Sequence, residues 1–72
     1  MQQEERSSEA VEVDVKVIKQ QKLAVLVTDG TSQAWVPYSQ ILDGSEITQH
    51  SEPGFSGVLM LPEWKALALG LL

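Results

Sequence analysis

The chain has no cysteine, which removes disulfides and thiolate metal sites. A single histidine, His50, cannot make a histidine cluster. Basic residues are scarce: five Lys and Arg stand against ten Asp and Glu in 72 residues, a net charge of -5. Phosphate backbones are held by basic faces, so nucleic acid is not the expected ligand. No apolar run approaches the roughly 20 residues of a membrane span, so no membrane partner is expected. Met1 to Ser8 is polar and lacks the apolar core of a signal peptide. Lack of cysteine is compatible with a cytoplasmic setting. No cofactor signature is present, so none is expected.

Short length sets a further limit. A chain of this size buries only about 60% of its unfolded surface and is marginal as a monomer. Small scaffolds are usually reinforced by a disulfide, a metal or a partner. With the first two missing, the expectation is efficient packing around the two tryptophans, or association with a partner protein or as a homo-oligomer.

What is present is a run of β signals. Residues 1–10, M-Q-Q-E-E-R-S-S-E-A, have no periodicity and read as a disordered tail before a single domain over 11–72. In Val11 to Ile18 the valines 11, 13, 15 and 17 share one face, while Glu12, Asp14 and Lys16 share the other. That alternation predicts a strand with one buried and one wet face. Leu23 to Val27 is continuously apolar and predicts a central strand covered on both faces. Asp29-Gly30 then predicts a hairpin turn into a return strand, Ser32 to Val36. Pro37 ends that strand. Ser39 to Leu42 reads as a turn or 3₁₀ piece with Ile41 and Leu42 under the sheet. Ser45 to His50 is a further short strand, and Phe55 to Leu61 another, with a bulge expected at Gly57.

Pro62 opens a short terminal helix, Glu63 complements its dipole, and Gly70 ends it. Trp64, Leu67, Ala68 and Leu71 fall at helical spacing and are its expected buried face. The expected fold class is mostly β with one short C-terminal helix. Its form is a small, bent antiparallel sheet or an SH3- or OB-like barrel of about five strands.

No residue pattern carries catalysis. His50 lies in the polar loop T-Q-H-S-E-P-G, and no serine sits in a G-x-S-x-G elbow. Glu12 and Asp14 share a wet strand face, where no burial tunes them for acid–base work. D-G-T-S and D-G-S-E do not continue into a calcium-loop pattern. The aromatics Trp35, Tyr38, Phe55 and Trp64 are expected to fill the core of so small a domain.

The charge map is the most informative feature. Between Leu23 and Trp64 there is no Lys or Arg, while Asp29, Asp43, Glu46, Glu52 and Glu63 all fall within that interval. Acids spread over several turns can form one surface that steers a basic protein partner. Asp29, Asp43, Glu46 and Glu52 are the candidate contacts. The alternative is an accessory single-strand nucleic-acid module using Trp35, Tyr38 and the basic turn Lys16, Lys19 and Lys22.

Two separated motifs carry a resemblance. W-V-P-Y-S-Q-I (Trp35 to Ile41) followed by L-P-E-W-K-A-L-A-L-G-L (Leu61 to Leu71) resembles small bacteriophage and prophage proteins. Those carry W-[IV]-P-x-S-Q-I before an I-P-E-W-L-A-x-x-K-G-L segment. The likeness covers about Lys22 to Leu71 and departs at Lys65 and Leu69. It implies a phage or prophage origin, and with it the bacterial host cytoplasm. It implies no established activity and assigns no functional residue. Small acidic phage proteins often act by binding and blocking a host protein, which favours by analogy a non-enzymatic inhibitor acting through an acidic surface.

Overall fold

A computed structural model describes residues 9–72. Most of the tail expected over residues 1–10 lies outside the described residues. Glu9 and Ala10 are tied in, since Glu63 N donates to Glu9 O at 2.7 Å and Ala10 pairs with Pro62.

Valine alternation produces strand β1, Ala10–Gln20, with Val13, Val15 and Val17 buried and Glu12, Asp14 and Lys16 exposed. Strand β2 is Ala24–Thr28 and β3 is Gln33–Pro37. A 3₁₀ turn, Tyr38–Gln40, follows, beginning one residue before and ending two before the turn read over Ser39 to Leu42. Strand β4 is Ser56–Pro62 and helix α1 is Glu63–Ala68. The strands form one antiparallel sheet in the order β3-β2-β1-β4. The mostly-β class with a C-terminal helix therefore stands. Among the described residues the sheet is open rather than closed into a barrel, and it has four strands rather than five. Ser45 to His50 is not a strand: its main chain is turned by local bonds from Thr48 N to Ser51 Oγ (2.9 Å) and His50 N to Thr48 Oγ1 (3.1 Å).

The two neighbours of β1 are staggered along it. Residues 10–16 of β1 pair with β4, and residues from Lys16 onward pair with β2. Lys16 is the residue in register with both Ser56 and Thr28. The register then slips between Val17 and Lys19, so the bulge falls in β1. The β1–β4 register is unbroken through Gly57, where a bulge was expected. Gly57 instead makes room: a Cβ there would lie 2.9 Å from Glu46 Oε1 and 3.0 Å from the Phe55 ring.

The core is aliphatic, not aromatic. Val17, Val25, Val27, Val36, Ile47, Leu59 and Leu61 are its largest fully buried side chains. Trp35, Phe55 and Trp64 are exposed, and Tyr38 is half-buried against the core. The expectation that aromatics fill the interior is thus overturned. The inward faces of β1, β2 and β3 carry valine and alanine, while Trp35 alternates onto the outer face of β3, Phe55 lies just before β4 and Trp64 sits on the exposed side of α1. Nor is β2 covered on both faces: Val25 and Val27 are buried, while Leu26 on the outer face is half-buried beside its cross-strand partner Trp35.

Helix α1 also turns a different face inward. Ala66 and Leu71 are buried, whereas Trp64, Leu67 and Ala68 are exposed. The cause is the helix end. Leu71 N donates to Ala66 O (2.9 Å) and Gly70 N to Leu67 O (3.1 Å), with Gly70 at φ +76°. This is a Schellman cap, whose apolar contact joins the residue after the glycine to the one five positions back. In a two-turn helix that contact outweighs the i, i+3, i+4 stripe.

Candidate partner-binding surface

Residues 38–55 join β3 to β4 with only the 3₁₀ turn as regular structure. Irregular connections of this length in small domains are usually functional or disordered. Here the segment is fastened along its length. Ile47, 0% exposed, plugs the core. Ser45 Oγ accepts from Ile47 N (3.1 Å) and Met60 N (3.2 Å) and donates to Ile47 O (2.9 Å). Ser51, the one buried polar residue described, accepts from Thr48 N, and its hydroxyl lies 3.4 Å from Glu46 O. The Gln20 side-chain amide donates to Gln49 O and Ser51 O, latching the segment to the end of β1.

Three of the expected acids, Asp43, Glu46 and Glu52, ride on this segment, and all are exposed. Asp43 lines an open groove of about 430 Å³ whose apolar walls include Tyr38, Ile41, Leu42 and Ile47. Glu52 lines a second groove of about 480 Å³ with His50, Pro53 and Phe55. The grooves meet at Thr48. Glu46 has a structural duty, because its Oε1 accepts from Val58 N at 2.7 Å.

Asp29 is set apart, on the β2–β3 turn. Its Oδ1 accepts from Ser32 N (2.7 Å) and Thr31 N (2.8 Å). Those amides, Ser32 first, hold its carboxyl below the usual aspartate value. Gly30 supplies the positive φ of +99° that the hairpin turn needs. Asp29 and Glu46 are therefore each accounted for by folding, while Asp43 and Glu52 face open grooves.

Sequence reasoning missed the fasteners: Ser45, Ile47 and Ser51 lie in a polar stretch with no periodicity. The serine next to His50 is tied up in main-chain bonds, so the Ser51–His50–Glu52 run is an anchored loop. Among the described residues no group of three His, Asp or Glu is placed to hold a metal ion, and no helix is long and apolar enough to cross a membrane.

The basic residues of the described sheet gather elsewhere. Lys16 and Lys19 lie on the outer face of β1, and Lys22 on the turn into β2. On the same face Lys19, Leu26 and Trp35 are in register in a row across β1, β2 and β3. Comparison with protein-family models, with curated proteins and with solved structures gives no match.

Proposed function

We propose that the chain is a non-enzymatic binding protein that engages a basic surface of another protein through the 38–55 segment. The observation that carries this reading is that exposed Asp43 and Glu52 sit on a segment anchored by Ile47 and Ser45 and free of any Lys or Arg. Acids on a fixed scaffold steer a basic partner and keep little entropy to lose on binding. The likeness to phage and prophage proteins makes a protein of the bacterial host, or of the phage, the natural partner, and blocking it the natural outcome.

The test compares the wild-type chain with the double charge reversal Asp43→Lys and Glu52→Lys, immobilised and exposed to bacterial lysate. Capture of a basic protein that is lost on charge reversal and on raising the salt supports the reading. Equal capture by both chains overturns it. Far-UV circular dichroism of the double variant shows whether the fold is kept.

A second reading rests on a different observation. Trp35 is 38% exposed on the outer face that also holds Lys16 and Lys19. Base stacking on an exposed indole beside cations is how single strands are held. Quenching of tryptophan fluorescence by an oligonucleotide at low salt supports it, and unchanged emission rules it out.

A further inference from the structure

Three stretches of edge in the described sheet are treated differently. The outer edge of β4 is covered: Val58 O accepts from Glu46 N (2.8 Å) and Met60 O from Leu42 N (2.9 Å). Its outward amides are taken by Glu46 Oε1 and Ser45 Oγ. The first half of β1 is open on its other side, beyond the end of β2. Val17 N donates to Phe55 O, so alternation turns the main chain of Glu12 and Asp14 toward that open side. Two charged side chains guard it, a common protection of exposed edges.

Among the described residues, strand β3 has neither cover nor guard. Tyr38 N donates to Leu23 O and Asp29 N to Ser32 O. Alternation between these bonds turns the main chain of Gln33, Trp35 and Pro37 away from β2, out of the sheet. The strand, Q-A-W-V-P, contains no charge and no bulge. Pro37 has no N–H, so the outward donors are those of Gln33 and Trp35.

We propose that β3 pairs antiparallel with β3 of a second copy, about a two-fold axis at Trp35. Centred there, the two Trp35 main chains exchange N–H and C=O, and Gln33 N–H of each copy meets Pro37 O of the other. Every outward donor is used, and the residue without a donor falls at the end of the ladder. A centre at Ala34 would also use both donors, but only the axis at Trp35 sets the two indoles directly opposite each other. The match of the edge to itself is what selects a second copy over an unrelated strand.

Charge points the same way. A chain of net charge -5 repels its copy unless contact is made away from its acids. The described acids lie on Glu9, the first half of β1, the β2–β3 turn, the 38–55 segment and the start of α1. None lies on β2 or β3. On the outer face the pairing sets the two half-exposed Trp35 rings side by side, flanked by Leu26 of each copy. Isologous two-fold contacts of this kind are the commonest in homo-oligomers. The contact is small, so the dimer is weak, with a dissociation constant of about 10–100 μM. The proposal is independent of the acidic grooves, which the pairing leaves uncovered.

The test is sedimentation equilibrium of the full chain across concentration. The expected result is a species of twice 7.9 kDa at the higher concentrations. Trp35→Lys places like charges at the axis, and Gln33→Pro removes a donor; each raises the dissociation constant at least about 100-fold. Leu67→Lys, on the exposed side of α1, leaves it unchanged. Circular dichroism identifies any variant that fails to fold, and the other edge variant then decides. A wild-type chain that stays at 7.9 kDa up to about 1 mM overturns the proposal. So does a dimer that survives the folded edge variants, or one that Leu67→Lys dissolves. A monomer whose Trp35 responds instead to an oligonucleotide assigns the face to nucleic acid.

Discussion

The edges of β3 and β4 face the same physical problem and meet it in different ways. Each presents unpaired N–H and C=O groups along one side. At β4 an 18-residue connection (38–55) folds back and supplies partners from Leu42, Ser45 and Glu46. At β3 no described residue is laid alongside. The difference shows that irregular chain can finish a sheet as well as a strand can, provided one buried side chain anchors it. It also shows where the molecule remains unfinished.

Removing the anchor has the largest effect. Ile47 is wholly buried, and Ile47→Ala is expected to cost about 2–5 kcal/mol. For a domain this small that is a large share of its stability, and urea unfolding should show a much lower midpoint. An unchanged midpoint would mean that the segment is held by its hydrogen bonds alone. Ser45→Ala comes next. It leaves the Met60 amide without its acceptor and the Ile47 amide with only its longer bond to Val58 O (3.3 Å), at about 1–3 kcal/mol, and amide exchange at Met60 should quicken before that of Val13.

Gly57→Ala is smaller still. Its Cβ falls 2.9 Å from Glu46 Oε1, so the carboxylate must leave Val58 N, at a cost of about 1 kcal/mol. Combining it with Glu46→Ala should add little, because both remove one bond; additive losses would contradict this account. At the open edge, Gln33→Lys should change the unfolding midpoint by no more than about 0.5 kcal/mol in stability, while weakening self-association. Equal damage to both properties would mean that β3 is more deeply built into the fold than its exposure shows.

The smallest effect is at the hairpin tip. Asp29 has a lowered folded pKa, from the amides of Ser32 and Thr31. Its contribution is therefore present above the unfolded value of about 4 and lost as pH falls through the folded one. Melting temperatures taken between about pH 5 and pH 2.5 should fall slightly more for the wild type than for Asp29→Asn. Identical profiles would assign the acid loss to other carboxylates.

Strand β1, the β2–β3 hairpin and the start and stop of α1 were legible because each has a local cause: valine alternation, Asp29-Gly30, Pro62 and Gly70. The extra residues at the ends of β1 were not, since Lys19 and Gln20 carry no β signal and are held by pairing with Leu26 and Val25. The cover of β4 was hidden for a stronger reason. It is made by main-chain groups and by serine hydroxyls, whose partners lie 11 to 18 positions away. Ile47 stands alone among polar neighbours, and periodicity needs company to be seen. The placement of the aromatics failed because side-chain size was weighed without the face each position takes: Trp35 stands between the buried Ala34 and Val36 and so points outward. Of the candidate contacts, the sequence singled out four acids with equal force, and only hydrogen bonding separates Asp29 and Glu46 from Asp43 and Glu52.

The stagger along β1 has a consequence for how the molecule is made. The β2–β3 pairs join residues 5 to 13 apart, so that hairpin can form as soon as it is synthesised. The first half of β1 waits for partners 40 to 52 positions downstream. Until β4 has been synthesised, Val11, Val13 and Val15 remain an unpaired apolar stripe flanked by Glu12 and Asp14. Those carboxylates then serve a nascent chain before they serve a folded one, keeping the waiting strand from pairing with its neighbours.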